Sequence, residues 1–188
     1  MLNQDLVEPE QVTLYRGATA RAVTVVEAVE PAQLGLPTPC TEWTVQELVD
    51  HLVAGTDYLV AAMESRAPVA PAGTKPADFR RGVDAVLAGV TKPGALDRVC
   101  QSPLGFEWPV SQAVAGTFMD VLIHTWDLAR ATGQDETLDP GLVEACIAMF
   151  LPDMPVRGRA AGILGPEVPV GPDASAQERL LGAMGRRP

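Results

Sequence analysis

An aspartate and a histidine, two residue types well suited to hold a metal ion, stand four apart in the stretch "DVLIHTWDLARATG", residues 120–133. Residues at i and i+4 of a helix lie one above the other, so Asp120 and His124 project from one face. Between residues 118 and 129 only Asp120, His124, Thr125 and Asp127 are polar. A helix that is apolar on most sides is normally buried inside a bundle. An unpaired carboxylate is costly there, and a partner must offset it. A plain Asp–His hydrogen bond would do so, and so would a metal ion. Gly116, one turn before Asp120, is expected to leave open space beside the pair.

The chain has only one other histidine, His51, in "ELVDHLVAG". It falls at the margin of an apolar stripe, between Leu48 and Leu52, with Gly55 one turn further on. Alone it reads as an ordinary interfacial histidine. Residues midway along two bundled helices can converge, however, and His51, Asp120 and His124 together make two imidazoles and one carboxylate. Such a set leaves coordination positions open, as a catalytic metal requires. Asp50 and Asp127 are candidates to orient a ligand imidazole. Asp50 adjoins His51 and therefore points to another side of the helix, toward solvent. Asp127, three residues after His124, lies nearer the ligand face. Trp43 and Trp126 read as packing residues.

The elements that must position these residues are mostly helices. Val12, Tyr15, Ala22, Val26 and Val29 recur at helical steps after Pro9, which predicts a first helix over about 10–29. Thr44 and Glu47 form a capping box, flanked by Trp43 and Leu48 at hydrophobic-staple positions, and open a second helix over 44–64. A third runs over 76–91 and a fourth over 110–132, closed by Gly133. Short runs near Val99 and Phe106 to Trp108 predict a small hairpin. Asp139-Pro140 opens a fifth helix, and the mostly extended tail ends in a short one with a Ser175/Glu178 capping box closed by Gly185.

Composition narrows the function classes. In 188 residues, 47% are hydrophobic and 20% charged, which describes a globular chain of one domain, 1–188. Fourteen basic against 24 acidic residues give a net charge of −10, which disfavours nucleic acid. Arg80-Arg81, Arg157 with Arg159, and Arg186-Arg187 read as solvated surface. No apolar run approaches the ~18–20 residues that cross a bilayer. "MLNQDLVEPEQ" lacks the basic start and apolar stretch of a signal peptide, so the expected location is the cytoplasm. Cys40, Cys100 and Cys146 are odd in number and widely spaced, which suits thiols in a reducing compartment. Cys100 and Cys146 read as core fillers; Cys40 stands just before a helix start, a place that can favour a thiolate, but it too reads as a residue without a chemical role.

Three stretches, "PTPCTEWTVQELVDHLVAG", "DVLIHTWDLARATGQ" and "GPEVPVGPDASAQERLLGAMGRRP", resemble the actinobacterial metal-binding proteins of the DinB-like, mycothiol-dependent maleylpyruvate isomerase type. The resemblance covers nearly the whole chain. It implies an all-α fold, a four-helix bundle of up-down-down-up topology over about 10–132 with a C-terminal appendage over about 138–188. Its long second connection fits "RAPVAPAGTKP". The family's ligands, a histidine on the second helix and two residues four apart on the fourth, match His51, Asp120 and His124. In the isomerases the carboxylate ligand is a glutamate. The separate C-terminal domain of the full isomerases is not expected in this chain, so maleylpyruvate is not carried over as substrate.

The resemblance further implies a divalent ion, commonly zinc or nickel, and a low-molecular-weight thiol such as mycothiol as co-substrate. The expected partners are that thiol and a small electrophile, in a transfer or isomerisation by a monomer or homodimer. Two other readings stay open: a non-catalytic metal- or ligand-binding stress protein with a vestigial site, and the facial triad of an iron(II) oxygenase.

Overall fold

A computed structural model describes residues 8–41 and 43–188. The first seven residues, on which the signal-peptide expectation falls, lie outside the described residues. Four long helices carry the fold: α1 (Glu10–Glu27), α2 (Val45–Glu64), α3 (Pro76–Gly89) and α4 (Val110–Thr132). α1 packs against α3 and α4, and α2 packs against the same two, which closes a four-helix bundle. Between α3 and α4 an antiparallel hairpin pairs β1 (Val99–Gln101) with β2 (Glu107–Pro109), placing Cys100 opposite Trp108. Among the described residues no helix is long and apolar enough to cross a membrane.

The local signals explain where the helices begin and end. Thr44 accepts from the Glu47 amide while the Glu47 carboxylate accepts from the Thr44 amide at 2.8 Å, so two orphan donors of α2 are satisfied. At the other end of α4, Gly133 takes the left-handed conformation (φ 70°) and its amide returns to the last turn. Val12, Tyr15, Ala22 and Val26 of α1 and Leu48, Leu52 and Leu59 of α2 are all buried, as the apolar stripes require. α3 crosses α2 at Gly82, where a Cβ would strike the Thr56 hydroxyl. Only glycine allows that approach. Two helices end earlier than periodicity predicts, α1 at Glu27 and α3 at Gly89, because a turn takes over the last residues.

The C-terminal segment lies against the bundle through α5 (Pro140–Phe150), α6 (Met154–Ala160) and α7 (Ala176–Ala183). α5 contacts α1 and α4, and α7 packs on α5. Val143, Cys146, Leu180, Leu181 and Met184 join the same continuous core as the bundle. The tail closes on α7 at Gly182, whose carbonyl accepts from the Val168 amide at 3.0 Å. A side chain there would meet the Val168 carbonyl at 2.6 Å. α6 was not anticipated: "MPVRGRA" is short and carries a proline and a glycine, so it has no periodic signature.

Candidate metal centre

α2 and α4 bring the three expected residues to one point. His51 Nε2 lies 3.0 and 3.2 Å from the two Asp120 oxygens, and His124 Nε2 lies 3.4 Å from Oδ1. One ligating atom from each residue falls within 4.8 Å of the others. The imidazoles meet edge to face, with ring centroids 4.9 Å apart. His51 and Asp120 each keep about a third of their side-chain surface exposed, whereas His124 keeps 8%. The set therefore has an open side and a buried side.

His124 owes its orientation to a second carboxylate. Its Nδ1 lies 2.9 Å from Asp127 Oδ2, and Asp127 is fully buried. Asp127 is in turn held by Arg186, from the C-terminal end of the chain: Nη2 donates to Oδ2 at 2.7 Å and Nε to Oδ1 at 3.2 Å. Arg186 is itself only 8% exposed, which overturns its reading as solvated surface. Cys40, in the loop before α2, is close enough to Arg186 to interact with it electrostatically.

The electrostatics follow from this packing. Burial alone would raise the Asp120 pKa, but the charges and hydrogen bonds of His51 and His124 hold it well below the usual carboxylate range. Burial would lower that of His124, but the charge of Asp120 and the hydrogen bonds the imidazole donates to both carboxylates raise it to about 9. Asp127 resists its own burial through His124 and Arg186 and is likewise lowered. In the ion-free protein the triad therefore carries a proton that a metal ion would displace. Two imidazoles and one anionic oxygen, converging with an open side, fit a divalent ion.

Other expectations resolve differently. Asp50 does not join the His51–Asp120–His124 cluster. It accepts from the amides of Gly73 and Thr74 (2.9 and 2.8 Å) and from the Thr74 hydroxyl, pinning the long connector to α2. Trp43 does more than pack: its indole centroid lies 4.5 Å from that of His51 and 5.6 Å from that of His124. The space beside Gly116 is not open, because a Cβ there would meet the Trp108 ring at 2.9 Å. Trp108 is fixed by donating to the Tyr58 hydroxyl of α2 at 2.8 Å. Cys146 is fully buried and its thiol is pushed up to about 12 by desolvation, as suits a core filler. Trp126 is buried under the Arg130 guanidinium.

Sequence reasoning missed Arg186 and the covering role of Trp43. A buried aspartate beside a histidine needs a further donor, but nothing in the sequence says which of 14 basic residues supplies it.

Comparison with known proteins agrees with this architecture. The bundle is similar to that of the crystallised mycothiol-dependent maleylpyruvate isomerase, with TM-score 0.53, 22% identity, and coverage of 66% of this chain and 61% of that one. A mutant of that enzyme matches with the same TM-score and 21% identity. Two uncharacterized proteins of Mycobacterium tuberculosis, from strains CDC 1551 / Oshkosh and ATCC 25618 / H37Rv, are each 39% identical over 117 residues. That match spans 61% of this chain and 63% of the relatives, so less than two thirds of their length is covered. Residues 15–129 match the family described as the mycothiol maleylpyruvate isomerase N-terminal domain, and the chain belongs to that family.

Proposed function

We propose that His51, Asp120 and His124 hold a divalent ion, zinc or nickel, and that the protein uses it to activate a low-molecular-weight thiol such as mycothiol toward a small electrophile. The observation that carries this reading is the convergence of the three ligating groups within 4.8 Å, open on the His51–Asp120 side and buried on the His124 side. When bound, the ion would supply positive charge that brings the pKa of a thiol or water toward neutrality. The residues of the chain do the rest. Asp127 holds the His124 ring so that Nε2 faces the other two ligands. Trp43 lies against both imidazoles and shields them from water on that side. The thiol and the electrophile enter from the exposed side of His51 and Asp120. Bundle and appendage act as one domain in this reading, because Arg186 reaches the site from the tail. A reducing cytoplasm suits both the thiol and the three cysteines, none of which is disulfide-bonded.

A second reading, a vestigial site in a binding protein, draws on one observation: both imidazoles lie within ion-pair distance of Asp120, which can satisfy its charge directly. Elemental analysis of protein purified without a metal-affinity tag, followed by turnover of an electrophile panel with and without mycothiol, separates the two. Stoichiometric zinc or nickel with thiol-dependent turnover supports the enzyme. Metal without turnover supports the binder, and protein that takes up no divalent ion refutes the metal centre.

A further inference from the structure

The last residues of the chain deliver a cation to the least exposed part of the site. Arg186 presents two N–H groups to the two oxygens of Asp127, and its Nη1 donates to the Met184 carbonyl at 2.9 Å. Asp127 Oδ2 is therefore shared between the guanidinium at 2.7 Å and His124 Nδ1 at 2.9 Å. A guanidinium has N–H donors only, so both oxygens of Asp127 act as acceptors toward it. The imidazole nitrogen facing that carboxylate must then carry the hydrogen. Its other nitrogen, Nε2, is left to coordinate an ion with its lone pair.

Fastening of the tail does not account for this arrangement. The Arg186 amide is already bonded to the Leu181 carbonyl at 2.8 Å. Arg130 Nη1 holds the Arg187 carbonyl and Arg159 Nη2 the Ala183 carbonyl, both at 2.6 Å. Leu180, Leu181 and Met184 are buried in the core beside them. The chain end is anchored without the guanidinium, which is instead spent on Asp127.

We infer that Arg186 is a positioning residue of the metal centre: through Asp127 it holds His124 as the Nδ1–H tautomer, with Nε2 presented to the ion. This inference rests on the metal-centre reading and deepens it. The test compares wild type, Arg186→Met, Arg186→Lys and Arg130→Ala, each titrated with zinc against a competing chelator. The histidine nitrogens of the zinc-loaded proteins are read by 15N NMR. Losing such a partner of a ligand imidazole typically weakens metal binding by about 10- to 100-fold. Arg186→Met is expected to fall in that range and to lose the exchange-protected Nδ1–H signal of His124. Arg186→Lys keeps the charge with one bond fewer and should fall between it and wild type. Arg130→Ala releases the tail carbonyl without touching Asp127 and should bind zinc as wild type does. Wild-type affinity in Arg186→Met, or an equal loss in Arg130→Ala, overturns the inference. Should Arg186→Met not fold, wild-type affinity in Arg186→Lys overturns it equally. A wild type that fails to bind zinc, nickel or cobalt refutes the metal centre itself, which is a different result.

Discussion

The two histidines of the site are the same residue type facing one carboxylate, yet their surroundings differ. His124 is 8% exposed and held from behind by Asp127 and Arg186, so its ring has one orientation. His51 is one-third exposed, contacts Asp120 and lies beside Trp43, and among the described residues no second carboxylate pairs with it as Asp127 does with His124. Rigidity and burial therefore sit on α4, and access sits on α2. A metal centre needs both: a fixed donor that sets the geometry and an open flank through which a ligand arrives. The difference also separates stability from chemistry, because removing a buried partner strands a charge whereas removing an exposed one admits water.

The largest expected effect is at His124. His124→Ala should abolish metal retention and cost about 3–5 kcal/mol, since two carboxylates lose a buried partner. The bundle should still fold, because its apolar core supplies most of the stability. The double variant Asp120→Asn with His124→Ala removes one stranded charge and should melt higher than His124→Ala alone. Metal content and thermal midpoints check both points. Equal metal in wild type and His124→Ala would remove His124 from the site.

Next in size is a pH effect on the ion-free protein. The His124 pKa is raised from 6.5 to about 9 in the folded state, so its contribution is complete below about pH 6.5 and is lost as pH rises toward 9. That contribution is on the order of 3 kcal/mol for a shift of this size. Asp120 and Asp127 are shifted the other way, and their contributions fade as pH falls below the usual carboxylate range. Stability of the metal-free protein should thus peak in mildly acidic solution. Zinc affinity should rise with pH over the window where stability falls, since the ion must displace the His124 proton. Denaturant melts of metal-free protein from pH 5 to 10 measure the first trend, and chelator competition measures the second. A flat melt profile from pH 6.5 to 9 would show that His124 is not protonated in the ion-free site.

Trp43→Leu should cost about 1 kcal/mol, as the ring contacts with two imidazoles are lost, and should let solvent reach the site. Its check is faster hydrogen exchange at the histidine ring nitrogens of the loaded protein, with metal stoichiometry kept. Unchanged exchange would mean the indole does not shield the site.

The smallest stability effect belongs to His51→Ala, at under about 1 kcal/mol, because the pair with Asp120 is partly exposed and screened. Its effect on metal should nonetheless be severe, at the level of His124→Ala. A His51 variant as unstable as His124→Ala would erase the contrast between the two flanks.

What is local along the chain was legible in its residues. The capping boxes at Thr44 and Ser175, the glycine stop at Gly133 and the i, i+4 pair of Asp120 and His124 depend on contacts within one or two turns. Burial of α4 followed from its composition, since a helix that apolar has no solvent face to offer. The meeting of His51 with Asp120 was an inference from two stripes, and chain packing decided it across 69 positions. Asp127 could be placed near His124 by helical geometry, but its partner Arg186 lies 59 residues away and carries the residue type most often found at the surface. Trp108 in the gap beside Gly116 and Asp50 on the connector are of the same kind. Hydrogen bonds within a helix turn are set by short spacings that sequence records directly. Which distant side chain satisfies a buried charge is set by how whole helices and the tail come to rest, and only the tertiary structure decides that.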